Sequence, residues 1–191
     1  VDAPYKKNNF ITFCSFNNFC KINENVIYTW SQILKSIKNS KLILKPSGRL
    51  DAGRLKVEFK NHGVENSVIF KENLKSVKDH LKSYNDIDLA LDTFPYNGVT
   101  TSFEAIWMGV PVLTMKGYNF NSRCGESINK NIGMETMIAK DENDYINKAI
   151  ELSKDVEKLI SFRKQIFEDA MSSPLFNIKN YSKNFFNLIK N

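Results

Sequence analysis

Short apolar runs alternate with amphipathic segments along most of the chain. Apolar runs bounded by polar residues predict buried strands at residues 10–16, 41–44, 68–70, 88–91, 110–115 and 137–139. Apolar residues at helical spacing, with polar or Gly stops, predict helices at residues 23–37, 52–62, 74–84, 100–108, 122–131, 142–153, 155–171 and 179–189. This order of elements predicts an α/β fold with a doubly wound parallel sheet and right-handed crossovers.

No internal repeat and no low-complexity linker divides the sequence. We therefore expect a single domain over residues 1–191, with C-terminal helices at about residues 142–190. In open sheets of this kind, ligands bind outside the carboxyl ends of the strands, near the point where the strand order reverses. We therefore expect the residues that bind a ligand to lie directly after the strands in the sequence.

The most informative segment, residues 88–115, combines a buried strand, an Asn-Gly turn, a helix start and a second buried strand. Thr100 and Thr101 stand where a helix N-cap is expected, so their hydroxyls and free backbone N–H groups would point the same way. Glu104 follows about one turn later on the same face. Because helix N-termini favour negative charge, the segment predicts a site for a phosphate-bearing ligand. Plain N-capping without a ligand is the simpler alternative.

Composition and charge narrow the range of functions. Hydrophobic content of 42% and charged content of 25% are ordinary for a globular protein, and no apolar run of about 18 residues predicts a membrane span. The net charge of +6 could suit a nucleic acid, but the lysines are scattered among asparagines and acids without an Arg-rich stripe. We therefore expect no nucleic-acid partner. A modest positive field would also suit an anionic sugar nucleotide.

The cysteines and histidines do not form a metal-binding pattern. Cys14, Cys20 and Cys124 share no ligand-like spacing, and the two histidines stand alone, so we expect no metal. An odd number of cysteines fits reduced thiols in the cytoplasm, and the N-terminus has no signal-peptide apolar stretch. The chain does not start with Met and opens shortly before a strand, so we expect a fragment of a longer protein.

Four phrases, in order along the chain, resemble a known family. They are SFNNFCKI at 15–22, HLKSYNDIDLALDTFPYNGVTTSFEAIWMGVP at 80–111, NSRCGES at 121–127 and SSPLFN at 172–177. Together they resemble the C-terminal nucleotide-binding half of the O-GlcNAc transferase and SPINDLY glycosyltransferases, especially bacterial members. The resemblance implies the Rossmann-like C-terminal half of a two-domain GT-B enzyme. The acceptor-side half and the helical repeats of that family would lie before residue 1.

The resemblance implies roles for residues that would hold the diphosphate. Lys21 matches a lysine that contacts the diphosphate and supports departure of the nucleotide, which makes it the catalytic candidate. A fixed cation suits this role because leaving-group charge develops on the β-phosphate. Thr100 and Thr101 match threonines that bind the diphosphate through hydroxyls and amides, beside Gly98 and Val99. Human-type members have His at the position of Val99.

Further donor-binding roles follow from the same match. Glu104 matches an acid that accepts hydrogen bonds from the ribose hydroxyls, and a carboxylate suits a diol because it offers two acceptor oxygens. His80 matches a histidine near the nucleotide base. Asn17 and Asn18 share the loop of Lys21, and Arg123 opens a helix near the sugar. Without the resemblance, Glu104, His80 and Arg123 would be ordinary residues on the surface of a helix.

Three interpretations concern the surroundings of this site. Residues 75–77 are expected in a loop that reaches the uracil edge through backbone groups. Asp92 ends its strand beside the site, and we interpret it as an acid that bonds the amides of its turn rather than as a general base. Trp107 and Met108 are interpreted as core residues.

The implied reaction is inverting transfer of N-acetylglucosamine from UDP-GlcNAc to a protein Ser or Thr hydroxyl. No metal cofactor would be needed, because amides and a lysine neutralise the diphosphate of the UDP-sugar. Three alternatives stay open: a SPINDLY-type protein O-fucosyltransferase that uses GDP-fucose, a catalytically silent nucleotide-binding module that serves protein assembly, and a basic protein- or nucleic-acid-binding domain. The chain alone is expected to bind nucleotide but to transfer little sugar.

Overall fold

The computed structural model describes residues 3–45, 52–72, 74 and 76–190. In this part of the chain, six strands form one parallel sheet in the order β3-β2-β1-β4-β5-β6. The strands are β1 (Thr12–Ser15), β2 (Lys41–Leu44), β3 (Val68–Phe70), β4 (Leu89–Leu91), β5 (Val112–Met115) and β6 (Ile138–Ala139). The predicted doubly wound parallel α/β fold is confirmed.

Helices connect the strands and continue beyond the last of them. They are α1 (Tyr5–Asn8), α2 (Glu24–Ser36), α3 (Gly53–Asn61), α4 (Val77–Lys82), α5 (Thr100–Trp107), α6 (Cys124–Asn131), α7 (Glu142–Lys154), α8 (Val156–Ser172) and α9 (Ile178–Lys190). Within the described ranges, no helix combines the length and the hydropathy that a membrane span requires.

The order of the strands places a crevice at the middle of the sheet. β1 pairs with β2 on one side and with β4 on the other, with Phe13 opposite Leu89 and Cys14 opposite Ala90. From β1 the chain winds outward to β3, and it then returns to β4 and winds outward in the other direction. The loops that leave the carboxyl ends of β1 and β4 therefore diverge, and this is where ligands bind in such sheets.

The core lies on both faces of the sheet, which explains why the strands are short apolar runs. Phe13, Leu42 and Leu89 are fully buried in the strands. Helix α2 packs against α7, and each contributes a large buried ring, Trp30 and Tyr145. The Tyr145 hydroxyl donates to the carbonyl oxygens of Asp92, directly after β4, and of Leu113 within β5, 3.0 and 3.1 Å away, so the covering helix also bonds the sheet.

Two predictions about local structure need correction. The single helix predicted over residues 74–84 is the shorter α4, followed by a 3₁₀ turn over Ser83–Asp86, and the Ser76 side chain caps its start. Trp107, predicted as core, is 46% exposed. Its ring packs against Phe167 of α8 and against Phe176, with centroid distances of 5.2 and 5.9 Å, so it lies at the edge of the core rather than inside it. Met108 is partly buried against the core.

Candidate functional site

One buried carboxylate joins the loops at the carboxyl ends of the central strands. Asp92, which follows β4, is 1% exposed. Its Oδ1 accepts hydrogen bonds from the backbone N–H of Gly98 at 2.6 Å and of Thr93 at 2.9 Å. Its Oδ2 accepts from the Thr114 hydroxyl of β5 at 2.8 Å. The prediction that Asp92 bonds the amides of its turn is confirmed, and the turn is thereby fixed to the sheet.

Two opposing effects set the protonation of Asp92. Burial raises the pKa of its carboxyl, whereas the hydrogen bonds from Gly98, Thr114 and Thr93 and the charge of Lys21 lower it. Burial is the larger effect, and the pKa of Asp92 rises to about 6. The group is therefore mostly ionised at neutral pH, and it accepts hydrogen bonds from the donors around it.

Asn17 connects the loop after β1 to this turn and to helix α5. Its side chain is buried, and its Nδ2 lies 3.4 Å from Asp92 Oδ1. Its Oδ1 accepts a hydrogen bond from the Thr101 hydroxyl at 3.0 Å. Asn18 behaves differently: its side-chain oxygen caps the 3₁₀ turn Phe19–Lys21 by accepting from the N–H of Cys20 at 2.9 Å. The structure thus brings Asn17 into the cluster and uses Asn18 to shape the loop.

The start of α5 differs from the sequence prediction. Thr100 and Thr101 are the first two residues of the helix, not its caps, and Val99 occupies the N-cap position. The cap prediction was wrong because the Asp92–Gly98 bond fixes where the turn ends and the Thr101 hydroxyl bonds Asn17 instead. The Val99 side chain has no acceptor, and Val99 and Thr100 are exposed. The first amides of α5 are therefore open to an external anion.

Gly98 is required by the close packing at this turn. A Cβ atom at this position would lie 2.6 Å from Thr101 Oγ1, 2.9 Å from Asn17 Oδ1 and 3.0 Å from Asp92 Oδ1. All three oxygens belong to the hydrogen-bonded cluster just described. Any side chain at residue 98 would displace the groups that orient the start of α5.

Lys21 places a cation beside the loop that leads into α5. Its Nζ donates to the carbonyl oxygen of Asn97 at 2.9 Å and lies 4.1 Å from the centre of the Tyr96 ring. Partial burial lowers the pKa of Lys21, and the nearby charge of Asp92 counteracts that effect. The ammonium group is thus held against the turn, but the residue remains partly accessible.

Asn97 is buried and makes hydrogen bonds to three parts of the chain. From the sequence, it was interpreted only as the first residue of an Asn-Gly turn. It is 1% exposed, and its Nδ2 donates to the carbonyl oxygen of Thr93 at 2.9 Å. Its Oδ1 accepts from the N–H of Gly125 at 3.3 Å, and its own N–H donates to the carbonyl oxygen of Asn121 at 3.0 Å. The loop that carries Lys21's acceptor is therefore tied to the start of α6.

Glu104 and His80 meet on the α4 side of α5. His80 Nε2 lies 2.9 Å from Glu104 Oε2, and the Tyr84 hydroxyl lies 3.4 Å from the same oxygen. The His80 ring packs against the rings of Phe16 and Tyr84, and its centroid lies 5.9 Å from each of theirs. His80 is therefore not simply a surface residue of α4. For the predicted base loop, residue 75 lies outside the described residues, and residue 77 begins α4 with an exposed side chain.

Arg123 is held by an acid of its own helix. It occupies the N-cap position of α6, and its Nε donates to Glu126 Oε2 at 2.7 Å. Lys130 Nζ lies 2.9 Å from the other oxygen of this buried carboxylate. Hydrogen bonds from Arg123 and Lys130 lower the pKa of Glu126 to about 2. The structure thus explains how Arg123 is oriented, and its contact with a sugar remains a prediction.

A metal centre would need several His, Cys, Asp or Glu side chains gathered at one place. Over residues 3–45, 52–72, 74 and 76–190, no three His, Cys, Asp or Glu side chains lie together as a ligand group. The three cysteines are free thiols: Cys14 is buried, Cys20 is exposed and Cys124 is partly buried. Burial raises the pKa of Cys14, so this thiol is an inert part of the core.

Comparison with solved structures relates this geometry to known proteins. The chain superimposes on an O-GlcNAc transferase mutant of Thermobaculum terrenum with a TM-score of 0.84 and 30% identity, covering 93% of this chain and 36% of that one. It also resembles the C-terminal domain of the glycosyl transferase LpcC from Francisella tularensis, with a TM-score of 0.65, 14% identity and coverage of 88% and 90%. The second likeness concerns the fold alone.

Comparison with protein sequences gives the family. The chain is 36% identical over 186 residues to a protein of Solanum lycopersicum named "Probable UDP-N-acetylglucosamine--peptide N-acetylglucosaminyltransferase SPINDLY", covering 95% of the chain and 20% of that relative. It is 29% identical over 171 residues to the UDP-N-acetylglucosamine--peptide N-acetylglucosaminyltransferase of Caenorhabditis elegans, covering 90% and 15%. The chain thus spans about a fifth or less of these relatives. Residues 4–185 match the model of glycosyl transferase family 41. This chain therefore belongs to glycosyl transferase family 41, and its doubly wound sheet is that of the GT-B glycosyltransferases.

Proposed function

We propose that this chain is the donor-binding part of an inverting glycosyltransferase that transfers N-acetylglucosamine from UDP-GlcNAc to a Ser or Thr hydroxyl of a protein. One observation carries the proposal: the N-terminus of α5 is open, and the Lys21 ammonium is bonded to the loop that leads into it. Family membership and the names of the relatives support it.

The diphosphate would bind where these positive groups meet. The first amides of α5, the exposed Thr100 hydroxyl and Lys21 would surround its oxygens, and Gly98 would let the turn pack closely enough to keep the start of α5 in place. When the bond to the sugar breaks, negative charge develops on the β-phosphate, and Lys21 would stabilise it. In this proposal the amides and Lys21 supply the positive charge, so the donor needs no resident metal.

The ribose would bind one turn further along α5. Glu104 Oε2 is engaged by His80, while Oε1 has no hydrogen-bond partner among the described residues. The Glu104 side chain is 27% exposed, and an accessible carboxylate oxygen suits a vicinal diol, which offers donors. His80 would then lie between the ribose and the base, Asn17 would orient Thr101, and Arg123 would lie on the sugar side.

Calorimetric titration of the chain with UDP and with GDP tests this proposal. We expect UDP to bind more tightly than GDP, and Lys21→Ala to weaken UDP binding by about 10- to 100-fold, the size expected for one charge-assisted hydrogen bond. Lys35→Ala, which removes an exposed lysine of α2, is the matched control and should leave binding unchanged. Absence of binding to either nucleotide would contradict the proposal.

Two alternatives give different results in the same experiments. Preference for GDP would indicate a fucose-type donor, as in the SPINDLY alternative drawn from the sequence. A catalytically silent module would bind UDP normally and would lack activity even as part of the longer protein. We expect the chain alone to release little UDP from UDP-GlcNAc, since the acceptor protein would bind outside it. The three free thiols fit a cytoplasmic reaction.

A further inference from the structure

A buried lysine that the sequence did not single out lies beneath Glu104 and His80. Lys45 directly follows β2 and is 2% exposed. Its Nζ contacts His80 Nδ1, lies 4.3 Å from the centre of the Phe16 ring and is 3.5 Å from Ser83 Oγ. Burial lowers the pKa of Lys45, and negative charge at Glu104 is among the effects that raise it. A cation is thus enclosed behind the proposed ribose site.

With Lys45 protonated, its contact with His80 specifies the tautomer of a neutral imidazole. An ammonium group has three donors and no acceptor, so the Nδ1 atom that it contacts must carry a lone pair. The proton of the neutral ring then lies on Nε2, which is 2.9 Å from Glu104 Oε2. Two donated hydrogen bonds therefore run in sequence, from Lys45 to His80 and from His80 to Glu104.

The hydrogen bonds from Lys45 to His80 and from His80 to Glu104 determine which oxygen of Glu104 is left for a ligand. His80 and the Tyr84 hydroxyl both approach Oε2. Oε1 keeps its acceptor capacity, at least with respect to the residues that the structure describes. If the ring carried its proton on Nδ1 instead, Nε2 would be an acceptor facing a carboxylate, and the Glu104 side chain would no longer be held in this orientation.

We propose that Lys45 is a positioning residue that acts through His80 to hold Glu104 toward the ribose, and that it thereby sets a preference for ribonucleoside over 2′-deoxyribonucleoside diphosphates. The inference rests on the proposed function for its ligand. Its geometric part, the tautomer of His80, does not depend on any ligand and can be tested in the free protein.

The first test measures the His80 tautomer directly. Long-range ¹H–¹⁵N spectra of the nucleotide-free chain, recorded at about pH 8 where an ordinary imidazole is neutral, should show the proton on Nε2. His62, the other histidine, occupies the C-cap position of α3 and contacts no lysine among the described residues, so it serves as an internal reference. Lys45→Met should give a mixture of tautomers, and Lys45→Arg should keep the Nε2–H form. A proton on Nδ1 in the wild type would overturn the proposal.

The second test compares UDP with 2′-deoxy-UDP by calorimetry. The wild type should prefer UDP, and Lys45→Met should reduce that preference by about tenfold, the size of one lost hydrogen bond to a charged group. Lys45→Arg should restore most of it. Lys71→Met removes the same charge after β3, where Lys71 pairs with Asp86 at the surface, and should leave the ratio unchanged.

The outcomes separate this inference from the proposed function. Binding of neither nucleotide would contradict the proposed function, and the spectra of the free protein would still decide the tautomer. Equal loss of affinity for UDP and 2′-deoxy-UDP in Lys45→Met would indicate that Lys45 acts on the diphosphate, and it would overturn the positioning role. Failure of Lys45→Met to fold would leave Lys45→Arg and the wild-type spectra, either of which can contradict the inference.

Discussion

The pH dependence of stability at Asp92 tests whether burial, which raises the pKa of its carboxyl, outweighs the hydrogen bonds that lower it. Asp92→Asn keeps the shape of the side chain, and its amide oxygen can still accept from the N–H groups of Gly98 and Thr93. The amide nitrogen would then face the Thr114 hydroxyl, which can rotate to accept. The variant therefore folds with the same hydrogen-bonded pairs and differs mainly in lacking a titratable carboxyl.

The magnitude follows from the pKa of the folded protein. Burial raises the pKa of Asp92 from 3.8 to about 6, so the folded state binds the proton more tightly than the unfolded state does. Stability from this group is therefore fully present below about pH 4 and is lost as the pH rises through about 6. The shift of about two units corresponds to about 3 kcal/mol. Relative to Asp92→Asn, the wild type should lose about that much unfolding free energy between about pH 4 and pH 7.

Urea unfolding of both proteins over this pH range measures the difference. Asp86→Asn, which removes a mostly exposed carboxylate, is the control for loss of a surface charge. If the hydrogen bonds outweighed burial, the wild type would instead gain stability relative to Asp92→Asn as the pH rose. A flat or rising difference would refute the reasoning that burial is the larger effect.

Three further substitutions probe the same cluster. Gly98→Ala should weaken UDP binding by at least about tenfold in calorimetry, because its Cβ would displace three oxygens around the start of α5; unchanged binding would show that this packing does not matter to the ligand. Thr101→Val should destabilise the fold by about 1–2 kcal/mol in urea unfolding, since buried Asn17 Oδ1 loses its donor, whereas Thr101→Ser should not. Tyr145→Phe should cost about 1 kcal/mol of unfolding free energy with no change in UDP affinity, and a change in affinity would contradict a purely structural role.

The parts of the fold that depend on local pattern could be predicted from the sequence. β2 and β3 have the predicted bounds, because each apolar run is flanked by polar residues that end it. The helix that begins at Thr100 was also predicted, because an Asn-Gly turn directly precedes it. Its cap was not, since the position of the turn depends on Asp92 and Asn17, and on contacts that no local rule contains.

The residues that sequence reasoning missed depend on partners distant along the chain. Lys45 meets His80 from 35 positions away, and a lysine after a strand is usually solvated, so no local signal marked it. Asn97 meets Lys21 from 76 positions away, and its dipeptide predicts a turn whether or not its side chain is buried. In both cases the register of the strands, rather than the spacing of residues, brings the groups together.

The pairing of β1 with β4 has a consequence for how a ligand and the fold depend on each other. β1, β2 and β3 come from one continuous stretch of chain, and β4, β5 and β6 come from the next. Asn17, Lys21 and Lys45 belong to the first stretch, whereas the turn and the start of α5 belong to the second. A nucleotide at the seam would contact both stretches, so its binding energy would stabilise the pairing of β1 with β4 and add directly to the stability of the fold.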